Sequence, residues 1–155
     1  MRYFLIPIAV ILLNCSSKKN FVLPKTWTKG LTITLYEGGG MNYESTNVFI
    51  SADSCNYVKM ENGKDDSKRF VLSAKELNEL LQKLHAFNVD DIETSPTELV
   101  HDKETNRLCI IAKPQPDYCI ETGATITVKK KYQEDFYGAW KYLLKLAMDK
   151  SKQGD

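Results

Sequence analysis

Residues 73–88 read SAKELNELLQKLHAFN, and this stretch carries the strongest structural signal of the chain. Ser73 and Glu76 have the spacing of a capping box, in which the serine hydroxyl accepts a hydrogen bond from the glutamate amide and the glutamate carboxylate accepts one from the serine amide. Four leucines follow at helical spacing and form one apolar stripe, at Leu77, Leu80, Leu81 and Leu84. Asn88 suits a helix end. We therefore predict an amphipathic helix over about residues 74–87.

A second amphipathic helix is predicted over about residues 132–149. One stripe of this segment carries apolar side chains at Phe136, Trp140, Leu143, Leu144 and Ala147. Gly138 costs such a helix about 1 kcal/mol relative to alanine. The apolar stripe nevertheless continues on both sides of the glycine, so each predicted helix has a face that can pack on other elements.

Short segments that lack the helical period surround the first helix. Leu31, Ile33 and Leu35 alternate with threonines, which is the period-two pattern of a strand with one buried face. The same reasoning predicts strands at residues 47–51, 56–60, 69–72, 97–102, 107–112, 117–121 and 124–129. Strands in runs separated by helices are typical of α+β domains, so we predict an antiparallel sheet of about six to eight strands with both helices packed on one face.

The first residues of the chain predict export. Arg2 supplies a positive charge, and an uncharged apolar run follows at residues 3–13, as in the n-region and h-region of a secretory signal. A helix that crosses the hydrocarbon core needs about 20 apolar residues, so this run is too short to span a bilayer. The polar residues 14–20 that follow show no packing pattern.

The apolar run closes with Leu12-Leu13-Asn14-Cys15, which resembles the lipobox of bacterial lipoproteins. Asn14 departs from the commoner Gly, Ala or Ser, and the tetrad is similar to the looser lipoboxes of spirochaetes and Bacteroidetes. The resemblance covers residues 1–20 only. It implies cleavage before Cys15 and a diacylglyceryl thioether on Cys15, whose fatty acyl chains, such as palmitate, would hold the protein to a membrane. The alternative is a plain secreted protein cut near Ser17.

These features predict three parts of the chain. They are a signal peptide at residues 1–14, a lipidated cysteine with a flexible tether at 15–25, and a single α+β domain at 26–150. The third part is long enough for one domain with its own core and too short for two. The resemblance implies a place in the cell envelope, with the outer membrane favoured over the inner one, and a membrane partner held through lipid on Cys15.

The charge balance argues against a nucleic-acid partner. The chain has 21 basic and 20 acidic residues, and Arg2 falls in the predicted signal peptide, so the remainder is electrically neutral. Nucleic-acid-binding domains usually show a basic excess on one face. The run Lys129-Lys130-Lys131 is better explained as a solvated strand end.

Four cysteines are present, and Cys15 is assigned to lipid. Cys109 and Cys119 lie symmetrically about Pro114, so a hairpin centred there would place them opposite each other. Directly opposed residues in an antiparallel pair lie within disulfide range, and exported proteins keep disulfides. We predict a Cys109–Cys119 disulfide, with two free thiols as the alternative, and Cys55 as a buried free thiol.

Catalytic and metal-binding patterns are weak. The chain has two histidines, His85 and His101, and neither has the spacing of a zinc site or of a nucleophile–base motif. The acidic pairs lack the twelve-residue calcium-loop pattern. We therefore assign no catalytic residue, no metal ligand and no cofactor.

The glycine-rich connection after the first strand is the best candidate for an interaction loop. Gly38, Gly39 and Gly40 are expected to interrupt the strand, because glycine carries no side chain to pack and costs backbone entropy. Met41 and Tyr43 follow, and loops displayed by a rigid scaffold often carry function. The sequence favours a non-enzymatic binding module for an unknown protein or envelope ligand. The alternatives are a secreted hydrolase of unknown substrate and an inhibitor that presents residues 37–47.

Overall fold

The computed structural model describes residues 21–40 and 44–153. Within these residues the elements, in chain order, are β1 (Leu31–Gly38), β2 (Ser45–Ile50), β3 (Cys55–Glu61), β4 (Lys64–Phe70), α1 (Ala74–Ala86), β5 (Thr94–Pro96), β6 (Thr105–Ala112), β7 (Tyr118–Thr122), β8 (Ile126–Val128) and α2 (Gln133–Ser151). Short 3-10 turns occur at Val89–Asp91 and Lys130–Tyr132. Six strands form one antiparallel sheet in the order β4-β3-β2-β1-β6-β7, and β5 pairs with β8. The predicted α+β class, with helices packed against an antiparallel sheet, is confirmed.

One face of the six-stranded sheet packs against the helices and forms the core. The alternation predicted in β1 is present, since Leu31, Ile33 and Leu35 are buried and the threonines between them are only partly buried. The neighbouring strands add Val48, Ile50, Leu108, Ile110 and Ile120 to the same core. The helices contribute Leu77, Leu80, Leu81, Leu84, Phe136, Ala139, Trp140, Leu143 and Ala147. Both predicted helix stripes therefore face the core, with Leu144 packed at its margin.

The capping box at the start of α1 forms as predicted. The Ser73 hydroxyl accepts from the Glu76 amide at 3.3 Å, and the Ser73 amide donates to the Glu76 carboxylate at 2.8 Å. The same carboxylate pairs with Lys150 on α2. Hydrogen bonds from Lys150 and Ser73 lower the pKa of Glu76 to about 2. One carboxylate thus caps α1 and links the two helices.

The packed part of the chain begins earlier than residue 26. Phe21 and Leu23 belong to the core, and only 3% of the surface of Phe21 is exposed. The flexible tether predicted over residues 15–25 is therefore wrong for its last part, because these two apolar side chains find a place against the domain. Residues 15–20, including Cys15, lie outside the described residues.

The strand predicted at residues 97–102 is wrong. The strand in this region is β5, which ends at Pro96 opposite Ile126, the first residue of β8. Since β8 contains three residues, its ladder offers no partner to the residues after Pro96. They continue as a loop, with backbone hydrogen bonds from Thr97 to Thr125 and from Val100 to Ala124.

The β6–β7 hairpin confirms the predicted cysteine pairing. Cys109 and Cys119 are register partners, with Cα atoms 4.1 Å apart, and their sulfur atoms are bonded. The disulfide lies on the sheet face opposite the helices, because Leu108 and Ile120 form the next register pair and point into the core. Cys55 is a buried free thiol, as predicted, and burial raises its pKa.

Gly138 has a packing role that its helix position does not reveal. A Cβ atom at this position would lie 2.5 Å from Cε1 of Phe87, so the aromatic ring rests directly on the glycine. Alanine improves helix propensity by about 1 kcal/mol, whereas overpacking typically costs about 1–3 kcal/mol. We expect Gly138→Ala to lower the free energy of unfolding by about 1 kcal/mol, measured by urea denaturation.

Phe87→Ala provides the matched background for this test. It removes the ring atoms that the added methyl group would meet. In that background Gly138→Ala is expected to become neutral or stabilising, because only the propensity gain remains. A stabilising Gly138→Ala in the wild-type background would contradict the proposed contact.

Candidate functional site

Four connections lie at one end of the six-stranded sheet. Gly38 ends β1 there, opposite Ser45 at the start of β2 and Thr105 at the start of β6. The connections at this end are residues 39–44, 97–104 and 123–125, together with the tight turn between β3 and β4. We call this the glycine end of the sheet. The other end, where Leu31 pairs with Ala112 and residues 113–117 form the hairpin tip, is called the hairpin end.

The connection between β1 and β2, which we call the glycine loop, is shorter than the predicted loop at residues 37–47. Gly38 does not interrupt β1, because it pairs with residues on both neighbouring strands. A Cβ at Gly38 would lie 2.8 Å from the Tyr36 hydroxyl oxygen and 2.8 Å from Ser45 Cβ, so the missing side chain makes room for these groups. Gly39 and Gly40 have φ values of +87° and +72°, which favour glycine. Strand β1 therefore continues through Gly38, and β2 begins at Ser45.

The glycine loop lies directly against the loop at residues 97–104. A Cβ at Gly40 would be 2.8 Å from the carbonyl oxygen of Asp102, so the two backbones approach closely only because Gly40 has no side chain. Asp102 has φ +59°, a left-handed conformation that turns the chain towards β6. The predicted loop residues Met41 and Tyr43 lie outside the described residues, and their part in this surface stays a prediction.

Two adjacent aliphatic side chains project from the second loop. Leu99 is 59% exposed and Val100 is 46% exposed, although the Val100 amide is held by the Ala124 carbonyl at 2.9 Å. Exposed apolar side chains on a backbone that is held in place are typical of interaction surfaces. Sequence reasoning missed this pair: two consecutive apolar residues depart from the alternation of a strand with one buried face, but this departure does not indicate that both side chains are exposed.

An acidic cavity of about 250 Å³ lies beside these loops. Its walls include the carboxylates of Glu37, Glu44 and Glu104, and also Lys59. Burial and the negative charge of Glu104 raise the pKa of Glu37. Lys59 donates to Glu61 at 2.6 Å, so the main cation of the wall is already paired with another carboxylate. The cavity therefore offers negative charge to a ligand.

A buried acceptor lies next to Glu37 in the sheet, on Asn106, which is not among the residues that line the cavity. Asn106 is the register partner of Glu37 in the β1–β6 ladder and lies on the same face of the sheet. Its buried Oδ1 has no hydrogen-bond partner among the described residues. A basic side chain with several N–H donors, such as arginine or lysine, is the group from which the carboxylates of the cavity would accept hydrogen bonds.

A shallow groove of about 350 Å³ continues from the glycine end along the sheet face opposite the helices. It is lined by Tyr36, Asn47, Phe49, Asn56, Val58 and Arg107, among others. Phe49 is one of the exposed large apolar residues, and Arg107 donates to Glu121 across the β6–β7 ladder at 2.6 Å. This face therefore mixes aromatic and polar groups, as binding surfaces commonly do.

The residues that could have formed a nucleophile–base pair are placed apart. Cys55 starts β3 at the hairpin end, and its sulfur lies 3.7 Å from the Ser51 carbonyl oxygen. His101 lies in the loop at residues 97–104, at the glycine end. His85, on α1, contacts the Pro24 carbonyl oxygen through Nε2 at 3.0 Å. The structure therefore does not bring Cys55, His101 and a third, orienting group together in one cluster.

Among the described residues, the surface at the glycine end thus includes the exposed pair Leu99–Val100, the glycines Gly39 and Gly40, and the acidic cavity. Within residues 21–40 and 44–153, no group of three or more His, Cys, Asp or Glu side chains is placed to hold a metal ion. The helices in the same part of the chain include none that is long and apolar enough to cross a membrane. No protein-family model matches the sequence, and a comparison with curated proteins finds none that is similar.

Proposed function

We propose that this chain is a lipid-anchored protein of the cell envelope, and that its domain is a non-enzymatic module that binds a partner protein through the glycine end. The Leu12–Cys15 tetrad supports the anchor. The exposed pair Leu99–Val100, in the loop whose Asp102 lies against Gly40, is the observation that supports the binding role. The outer membrane remains our preferred location.

The chemistry of this surface defines the partner that it suits. The aliphatic pair favours an apolar patch, and the carboxylates of Glu37, Glu44 and Glu104 at the same end of the sheet favour a basic side chain. Complementary charges mainly set specificity and association rate, whereas buried apolar anchors supply most of the affinity. We therefore propose a protein segment with apolar residues flanked by lysine or arginine as the ligand.

The inhibitor alternative has less support, because the loop that would be inserted into an enzyme is limited to residues 39–44, with Glu37 and Gly38 held in β1. A hydrolase would need a nucleophile or a water-activating group beside a base. Cys55, the free thiol, lies away from the glycine end and from His101.

Replacing both exposed aliphatic residues with serine is expected to remove partner binding. Affinity capture from the native envelope, read by mass spectrometry, should recover at least about tenfold less partner with the Leu99→Ser/Val100→Ser variant, because the loss of an apolar anchor often costs 2 kcal/mol or more. The free energy of unfolding should change by only about 0.5 kcal/mol per site, since both side chains are largely exposed.

Two further variants make the test specific. Val71→Ser removes an exposed valine at the hairpin end, 70% exposed, and should capture the partner normally. Glu104→Lys keeps the aliphatic pair but reverses one charge of the cavity, and it should weaken capture by itself. Full recovery of the same partner by the double serine variant would refute the glycine end as the binding surface.

A further inference from the structure

The segment before β1 is attached firmly to the hairpin end. The ring of Phe21 stacks on Tyr118, with centroids 4.9 Å apart and planes 8° from parallel. The next residue, Val22, is held at both backbone polar groups by Gln115 of the hairpin tip, which accepts from its amide at 2.8 Å and donates to its carbonyl at 2.9 Å. The Leu23 amide donates to Asp90 at 3.2 Å.

Because Phe21 is packed on the domain, only a short link separates the folded part from the proposed lipid attachment site at Cys15. Residues 16–20 are all that separates Cys15 from Phe21. A chain spans at most about 3.3–3.6 Å per residue, so these residues can hold Phe21 no more than roughly 20 Å from Cys15. An anchor of this reach limits how far the hairpin end can move from the bilayer surface.

The antiparallel topology places the glycine end away from this attachment. Strand β1 runs over 8 residues from Leu31, at the hairpin end, to Gly38. Strands rise about 3.3 Å per residue, so the two ends of the sheet are separated by about 23 Å. The hairpin end also carries the exposed side chains of Val71, after β4, and Asp53, between β2 and β3.

We propose that the hairpin end of the domain faces the lipid bilayer and that the glycine end points away from it, an inference that rests on the proposed lipid anchor at Cys15. The short link and the attached Phe21 hold the hairpin end at the membrane. The exposed pair Leu99–Val100 is then presented on the far side, where a partner protein can reach it without displacing lipid.

Energy transfer to the membrane surface tests this orientation. The lipidated full-length protein is purified from cells and reconstituted into phosphatidylcholine vesicles that carry a headgroup-labelled acceptor lipid. A donor dye is placed at Lys64→Cys, the first residue of β4, or at Val71→Cys, directly after the last residue of β4. The unsubstituted protein controls for labelling, since Cys55 is buried and the other described cysteines form the disulfide.

The donor at position 71 is expected to show at least about twofold greater transfer than the donor at position 64, because about 23 Å of strand separates them. Inserting twenty Gly/Ser residues between Asn20 and Phe21 should remove this difference, because a long flexible link no longer limits the orientation. Equal transfer at both positions, a reversed order, or a difference that survives the insertion would overturn the inference.

Vesicle flotation distinguishes this failure from failure of the anchor itself. The wild-type chain should float with the vesicles, and Cys15→Ser should remain in solution. If both chains remain in solution, the proposed anchor is wrong and the orientation falls with it. If the wild type floats and the two donors transfer equally, the anchor is supported and only the orientation is refuted.

Discussion

Replacing Phe136 with alanine is expected to lower the free energy of unfolding by about 3–5 kcal/mol, the usual cost of removing a buried aromatic side chain. Phe136 is fully buried on α2, and its ring centroid lies 6.0 Å from that of Trp140. The loss combines transfer of the ring out of the core with the cavity that remains, because the sheet and helices can relax only partly. Urea denaturation followed by circular dichroism measures it.

The neighbouring residue provides a matched control. Tyr137 follows Phe136 on α2 and is 39% exposed, so the two substitutions remove aromatic rings of similar size from the same helical turn. Tyr137→Ala is expected to cost about 1 kcal/mol or less, since surface changes are usually small. Similar losses for both variants would mean that α2 does not pack through the face that contains Phe136.

Replacing Phe21 with alanine is the second large effect. We expect a loss of about 3 kcal/mol, at the lower end of the range for buried aromatic residues, because the segment lies at the margin of the domain and can partly relax. The ring is almost completely buried and stacks on Tyr118. Equilibrium unfolding of a chain that starts at Cys15, with Cys15→Ser to keep it soluble, gives this value directly.

Val22→Ala serves as the control for this experiment. Val22 is 55% exposed, and its contacts with Gln115 use backbone atoms that alanine retains. Its substitution should change stability by about 0.5 kcal/mol at most. If Phe21→Ala were equally mild, Phe21 would contribute little to the free energy of folding, as the flexible tether predicted through residue 25 implies. The link between Cys15 and the folded domain would then be longer than the proposed membrane orientation requires.

The loops at the glycine end show why function is harder to predict than fold. A sequence pattern indicates which residues favour burial, and Leu99 and Val100 are residue types that are common in buried strands. They are exposed because β8, their potential partner, ends its ladder opposite Pro96. Whether an apolar residue is core or interface depends here on the length of another strand, and no local pattern contains that information.

The elements that the sequence determined by itself are those set by contacts between near neighbours. The capping box and leucine stripe of α1 depend on residues three or four positions apart. The Cys109–Cys119 pair depends on the symmetry of a hairpin about Pro114, with a sequence separation of 10. The period of two in β1 likewise selected the buried face correctly. Each of these signals is complete within a short window of the chain.

Only the tertiary structure decided the features that join distant segments. Phe21 is packed because Tyr118 stacks on its ring and Gln115 holds the backbone of Val22, both almost one hundred residues later in the chain. Gly38 stays in its strand because the neighbouring Tyr36 and Ser45 occupy the space of a side chain, and Gly138 lies in α2 beneath the ring of Phe87. Burial and close approach are properties of the assembled core, since they depend on which surfaces meet after the chain has folded.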